Sequence, residues 1–132
     1  MWASNKSLLL LILFSVSCSS VAQLFLKLGM VNRSHGKALA AGDWPAMLVG
    51  ALLNPMVIGG LALYFFGALV WLIVLAKVDL SFAYPFVGLG FIITLVLGKL
   101  VMDEAITPQR LLGTLLVAAG VIMVAASGKP QV

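Results

Sequence analysis

Between Trp71 and Leu100 the chain reads WLIVLAKVDLSFAYPFVGLGFIITLVLGKL, two long apolar stretches separated by a break of three residues, Lys77 to Asp79. Each stretch belongs to a run long enough to cross a bilayer as a helix, and no other open structure satisfies its backbone in lipid. Three residues only let the chain turn straight back. The two arms are therefore antiparallel neighbours, and the remaining sequence has to add helices on either side of this hairpin.

Composition supports the membrane setting. Of 132 residues, 63% are hydrophobic and 9% charged, and the mean hydropathy is +1.19. A soluble domain of this size would present much of that apolar surface to water, whereas a bilayer hides it. One embedded domain over 1–132 is expected. The net charge of +4 comes from eight basic residues scattered singly, a pattern that suits headgroup anchors at helix ends and not a nucleic-acid surface. Cys18, the lone cysteine, has no intrachain disulfide partner, and no cysteine set resembles a metal or redox site. No nucleophile stands near a base, so neither an enzyme nor a cofactor is expected.

Four transmembrane helices are predicted, over about 8–29, 55–76, 82–102 and 110–126. The first opens with Lys6 and LLLLILF, as a signal peptide might, but the chain stays apolar afterwards and an uncleaved span is expected. Ser15, Ser19, Gln23 and Lys27 recur every four residues, a polar stripe that must face protein or water. In the longer connection Val31 to Asn54, Trp44-Pro45 followed by AMLVGALL predicts a short interfacial helix. Asn54-Pro55 reads as cap and first position of the second span. There Gly60, Tyr64, Gly67 and Trp71 share a face, small residues admitting a neighbouring helix and aromatics lining a groove.

The start of the third span turns on Pro85: a cap at Tyr84 places the proline at the first helical position, whereas a cap at Ser81 or Asp79 leaves a carbonyl unpaired inside the helix. Gly88, Gly90, Thr94 and Gly98 thin this helix, and Thr107-Pro108 signals the start of the fourth. Gly113 and Gly120, two turns apart, suit a helix-helix contact and predict a dimer. Orientation is weakly encoded. Lys6, Lys77 and Lys129 share one side, against Arg33, Lys37, Lys99 and Arg110 with Lys27 nearby on the other, which leans toward termini outside.

The segment from Trp71 through FAYPFVGLG, followed by DEAITPQRLLGTLLVAAGVIMV, resembles the second half of the small four-helix subunits of the aminoarabinose-phosphoundecaprenol flippase, and AQLFLKLG at Ala22 to Gly29 is similar to their first-helix signature. Those subunits belong to the EamA-like part of the drug/metabolite transporter superfamily, which also holds the small multidrug resistance proteins. The resemblance implies an all-α, four-span fold, a homodimer or a heterodimer with a similar subunit, and cytoplasmic termini, against the charge count. It also implies movement of a polyprenyl (undecaprenyl) phosphate-linked sugar across the bacterial inner membrane, with aminoarabinose for lipopolysaccharide modification as the candidate sugar. The multidrug exporters carry a membrane-embedded glutamate in the first helix, but this chain has no Asp or Glu between Met1 and Ala41. That departure weighs against export of amphipathic cations and favours an anionic substrate; a non-transporting accessory subunit is the third reading.

Six residues are candidates for substrate contact, each with a plainer alternative. Lys27, with Gln23 one turn deeper, either meets a lipid phosphate or snorkels as an anchor. Arg110 has the same two readings. Glu104 either orients Arg110, binds an amino sugar or is merely solvated. Tyr84 and Trp71 either touch substrate or serve helix start and packing. The helix-packing candidates are Gly60, Gly67, Gly88, Gly113 and Gly120.

Overall fold

The computed structural model describes residues 2–31 and 33–127, and of residues 2–5 and 33–35 the backbone only. Lys129 and the side chain of Arg33, which enter the charge count, lie outside the described residues. Every regular element described is helical: α1 (Trp2–Met30), α2 (Arg33–Ala40), α3 (Trp44–Leu52), α4 (Pro55–Leu75), α5 (Leu80–Ala83), α6 (Leu89–Met102) and α7 (Pro108–Ala126), with a 3-10 segment Tyr84–Gly88 between α5 and α6. Four helical stretches are long and apolar enough to cross a membrane: Lys6–Met30, Pro55–Leu75, Leu80–Met102 and Pro108–Ala126.

The boundaries follow from local chemistry. Asn54 accepts from the Met56 N–H at 2.9 Å and donates through Nδ2 to the Gly29 carbonyl at 3.1 Å, so one side chain caps α4 and ties it to the end of α1. The third span begins at Asp79, not at Tyr84, and it keeps Pro85 inside. The chain tightens to a 3-10 helix over the proline, replacing the i−4 pattern that the ring disrupts. The fourth span starts two residues before the expected Arg110, because Thr107 Oγ1 accepts from the Arg110 N–H at 3.3 Å. Its 19 residues are about 28 Å long at 1.5 Å per residue, close to the hydrocarbon thickness. Thr107→Ala is expected to cost about 1 kcal/mol through the lost cap, read as a lower thermal midpoint in detergent.

In the connection between the first two spans, Asp43 caps α3, accepting from the Ala46 N–H at 3.2 Å. Trp44, Leu48, Val49 and Leu52 of α3 are exposed, an apolar surface suited to lying in the membrane interface.

The two arms expected to be antiparallel neighbours meet only near their turn, because α1 packs against both α4 and α6 and takes the place between them. The core is small and sits where α1 passes that turn: Ile12 and Val16 pack with Val74, Val78, Ala83, Phe86 and Val121. Helix α1 lies closest to α4. A Cβ on Gly60 would stand 3.0 Å from the Ala22 carbonyl oxygen, and one on Gly67 would stand 3.2 Å from Ser19 Oγ. Ser15 Oγ, fully buried, donates to the Gly67 carbonyl at 2.7 Å. Gly88 performs the same service for α7, where an added Cβ would lie 2.7 Å from Val117 Cγ1. A Cβ added at Gly113 or Gly120 would meet nothing within 4 Å among the described residues outside its own helix backbone. Most remaining leucine, valine and phenylalanine side chains point outward, as a bilayer requires.

Candidate functional site

The polar stripe of α1 ends at Lys27, and the chain brings two further charges to that end. Helix α6 terminates in Asp103, which takes the left-handed conformation (φ 51°), tolerated by aspartate, while the Glu104 N–H donates to the Gly98 carbonyl at 3.1 Å. This turn folds the Glu104 side chain over Gly98, where an added Cβ would stand 2.9 Å from Oε2. Glu104 is thereby aimed at α1, and its Oε1 accepts a hydrogen bond from Lys27 Nζ. Lys99 pairs separately with Asp103 at 2.7 Å on the exposed side.

Of the three readings open for Glu104, the orienting of Arg110 does not match its contacts: the carboxylate pairs with Lys27, because the turn at Asp103 directs it to α1. Arg110 Nη1 donates to the Ala105 carbonyl at 3.3 Å, though its charge still acts on Glu104. The hydrogen bond from Lys27, then the Lys27 charge, hold the Glu104 carboxyl below the usual carboxylate range; partial burial opposes this and Arg110 adds to it. A carboxyl lowered in the folded state contributes stability above its unfolded value and loses it as pH falls through the lowered one. Any thermal-stability advantage of the wild type over Glu104→Gln is therefore expected at neutral pH and should vanish on acidification. An advantage that grew toward acid would contradict the pairing. The pair is solvated, with 54% and 34% of the two side chains exposed, so the effect is small.

Beyond this charged mouth lies a groove of about 590 Å³ among α1, α6 and α7, with Gln23, Thr94 and Thr114 among apolar Leu24, Phe91, Leu95 and Val117. A second cavity of about 380 Å³ adjoins it, lined by Ser15, Ser19, Tyr64, Trp71 and Tyr84. Ser20, Gln23, Phe91 and Thr94 line both, so the two are neighbours across a shared wall. Lys27 and Ser15 are about 18 Å apart along α1 at 1.5 Å per residue. The polar lining thus covers more than half a bilayer's depth.

All six candidate contact residues border these spaces: Lys27, Glu104 and Arg110 at the mouth, Gln23 on the shared wall, Trp71 and Tyr84 in the inner cavity. Sequence reasoning missed Ser20, which lies beside the four-residue stripe, and Thr114, which looks like any helical threonine. Ser20 Oγ donates to the Val16 carbonyl at 2.9 Å and Thr114 Oγ1 to the Arg110 carbonyl at 2.8 Å. Tyr64 and Thr94 were assigned to helix faces but not to a shared cavity. Among the described residues no group of three His, Cys, Asp or Glu could hold a metal.

Four spans, three of them bordering a groove that carries polar side chains and a charged mouth, define a small multi-pass membrane protein of the transporter type. The chain is 32% identical over 123 residues to the probable 4-amino-4-deoxy-L-arabinose-phosphoundecaprenol flippase subunit ArnE of Pseudomonas aeruginosa (strain UCBPP-PA14), covering 93% of this chain and 98% of that one. It belongs to the family of small EamA-like proteins of the drug/metabolite transporter superfamily that includes the ArnE and ArnF flippase subunits. A shorter match of 44% over 55 residues joins it to the probable ArnE subunit of Pseudomonas savastanoi pv. phaseolicola, across 42% of this chain and 48% of that relative. The probable ArnF subunit of Sodalis glossinidius is 31% identical over 114 residues, 85% of each chain. No family model matches the chain, and no solved structure matches it. Family and spans together place the protein in the bacterial inner membrane as a multi-pass protein.

Proposed function

We propose that the protein is a flippase subunit that moves a polyprenyl-phosphate-linked sugar across the inner membrane, with undecaprenyl phosphate as the carrier and aminoarabinose as the sugar. The observation that carries this reading is the charged mouth opening into adjoining cavities whose largely apolar walls carry a line of polar side chains. A polyprenyl tail can stay in hydrocarbon while only phosphate and sugar enter the polar space, which lowers the cost of burying them.

At the mouth, two cations and one carboxylate leave a single net positive charge. A phosphate arriving between Lys27 and Arg110 competes with Glu104 for Lys27, and a displaced Glu104 is free to meet a cationic amino group on the sugar. The mouth thereby complements a headgroup bearing both signs. The absence of acidic residues between Met1 and Ala41 argues against proton-driven cation exchange through the first helix. A second copy or a paralogous subunit, packed along the bare Gly113 and Gly120 face of α7, completes the transporter.

The test is a headgroup-accessibility assay in proteoliposomes loaded with polyprenyl-phosphate aminoarabinose, with bound-lipid mass spectrometry on the purified protein. The protein, alone or with its paralogous partner, is expected to copurify with the lipid and to expose its headgroup on the far leaflet. Proton-driven movement of organic cations, without lipid movement, would overturn the reading.

A further inference from the structure

The inner cavity carries no charged side chain. Its walls nevertheless hold hydrogen-bonding capacity that the chain leaves unused. Among the described residues, the side chains of Ser19, Gln23, Tyr64, Trp71 and Tyr84 make no hydrogen bond, although all five border the same 380 Å³. Hydrocarbon cannot satisfy such groups, so the space is built for water or for a polar guest. Three of the five are aromatic residues with a polar tip. Ring faces beside hydroxyl and amide groups suit a sugar, whose C–H face packs on an aromatic while its hydroxyls bond to the rim. They offer a phosphate no counter-ion, so the phosphate bonded to a sugar in this space has to lie outside it, at the headgroup level beyond Trp71 and Tyr84, which stand near the ends of their spans.

Position along the helices separates this cavity from the mouth. Gln23 is one turn from Lys27, about 6 Å at 1.5 Å per residue, so a sugar whose phosphate rests at Lys27 reaches only the shared wall of Gln23 and Thr94. Gly67 is level with Ser15, which donates to its carbonyl. Trp71 lies one turn further from the mouth, about 24 Å from Lys27 along the bundle by the same rise. Tyr84 stands near the start of the third span, at that same far end. A sugar cannot touch these aromatics while its phosphate remains on Lys27.

We infer that the inner cavity is a second station, which takes the glycosyl group of the lipid-linked substrate after the phosphate has left the charged mouth. The inference rests on the proposed function, and it adds that the headgroup is handed from an ionic site to an uncharged aromatic one. Such a division keeps either station from holding the whole headgroup too tightly to release it.

Replacing Trp2 and Trp44 by phenylalanine leaves Trp71 as the sole tryptophan. In lipid nanodiscs this variant is titrated with polyprenyl-phosphate aminoarabinose and with unglycosylated polyprenyl phosphate. The glycosylated lipid is expected to shift Trp71 emission and the bare lipid to leave it unchanged. Tyr84→Ala, at an exposed position, is expected to weaken the glycosylated lipid about tenfold and leave the bare lipid unaffected, whereas Lys27→Gln weakens both. An equal Trp71 shift with both lipids would overturn the inference. So would glycosylated lipid shown by mass spectrometry to be bound and translocated with Trp71 and Tyr84 unresponsive, leaving the flippase reading intact. If that lipid is neither bound nor moved, the flippase reading falls and takes the inference with it.

Discussion

Lys27→Gln is expected to slow translocation of the lipid-linked sugar at least about tenfold, which corresponds to roughly 1.4 kcal/mol, and Lys27→Glu to abolish it. Lys27 is the charge nearest the groove's polar wall, and it holds Glu104 in place across the mouth. Removing the cation leaves Arg110 alone against an arriving phosphate, with Glu104 unpaired and repelling it. A glutamate at position 27 would set two carboxylates side by side where an anion has to pass. Lys27→Arg should retain activity, since a guanidinium keeps the charge and binds phosphate well. The exchanged pair Lys27→Glu with Glu104→Lys separates structure from function. It should recover the wild-type thermal midpoint, because the ion pair is restored, while transport stays impaired because the positive charge has moved from α1 to the loop. Wild-type transport rates in Lys27→Gln would remove the proposed phosphate role altogether.

Gly60→Leu should prevent the protein from folding in the membrane, the largest structural effect of any single substitution proposed. An added Cβ at this position meets the Ala22 carbonyl oxygen and the Leu26 side chain, all at 3.0 Å. The leucine can rotate away, but the carbonyl belongs to the α1 backbone, so larger side chains have to push α1 and α4 apart. Separation would break the Ser15 hydrogen bond to Gly67 and open the close approach at Gly29, where an added Cβ would stand 2.6 Å from Val57 Cγ2. Gly60→Ala, which adds one methyl group, is expected to cost about 1–3 kcal/mol as an overpacked contact. Size-exclusion profiles of detergent-solubilised protein check both. A monodisperse Gly60→Leu variant with an unchanged thermal midpoint would show that the two helices do not meet there.

How much of the site could be read in advance depended on whether its parts were local. The stripe Ser15, Ser19, Gln23 and Lys27 was legible because residues four apart share a helix face, whatever lies opposite. That the stripe would face α4 at Ser15 and a groove at Gln23 and Lys27 was not, since its facing surface is supplied by residues far along the chain. Tyr64, Trp71, Tyr84 and Thr94 come from two different spans, and nothing in their spacing reports that α1 brings them around one cavity. Glu104 illustrates the same limit at a single side chain. Its neighbours in sequence suggested Arg110, six residues away, whereas its partner is 77 residues away.

The sequence by itself determined that the chain crosses the membrane four times and where most of those crossings begin and end. These are consequences of length, hydropathy and capping, each settled within a few residues and enforced by a solvent that leaves no backbone group unpaired. Only the tertiary structure decided how Pro85 is accommodated, because a 3-10 segment there depends on the packing of Phe86 and Gly88 against neighbouring helices as well as on the proline. It alone decided that Lys27 faces Glu104. That pairing needs the glycine contacts that draw α1 against α4, the left-handed turn at Asp103 and the space above Gly98, three conditions set by different parts of the chain and meeting only when the helices are packed.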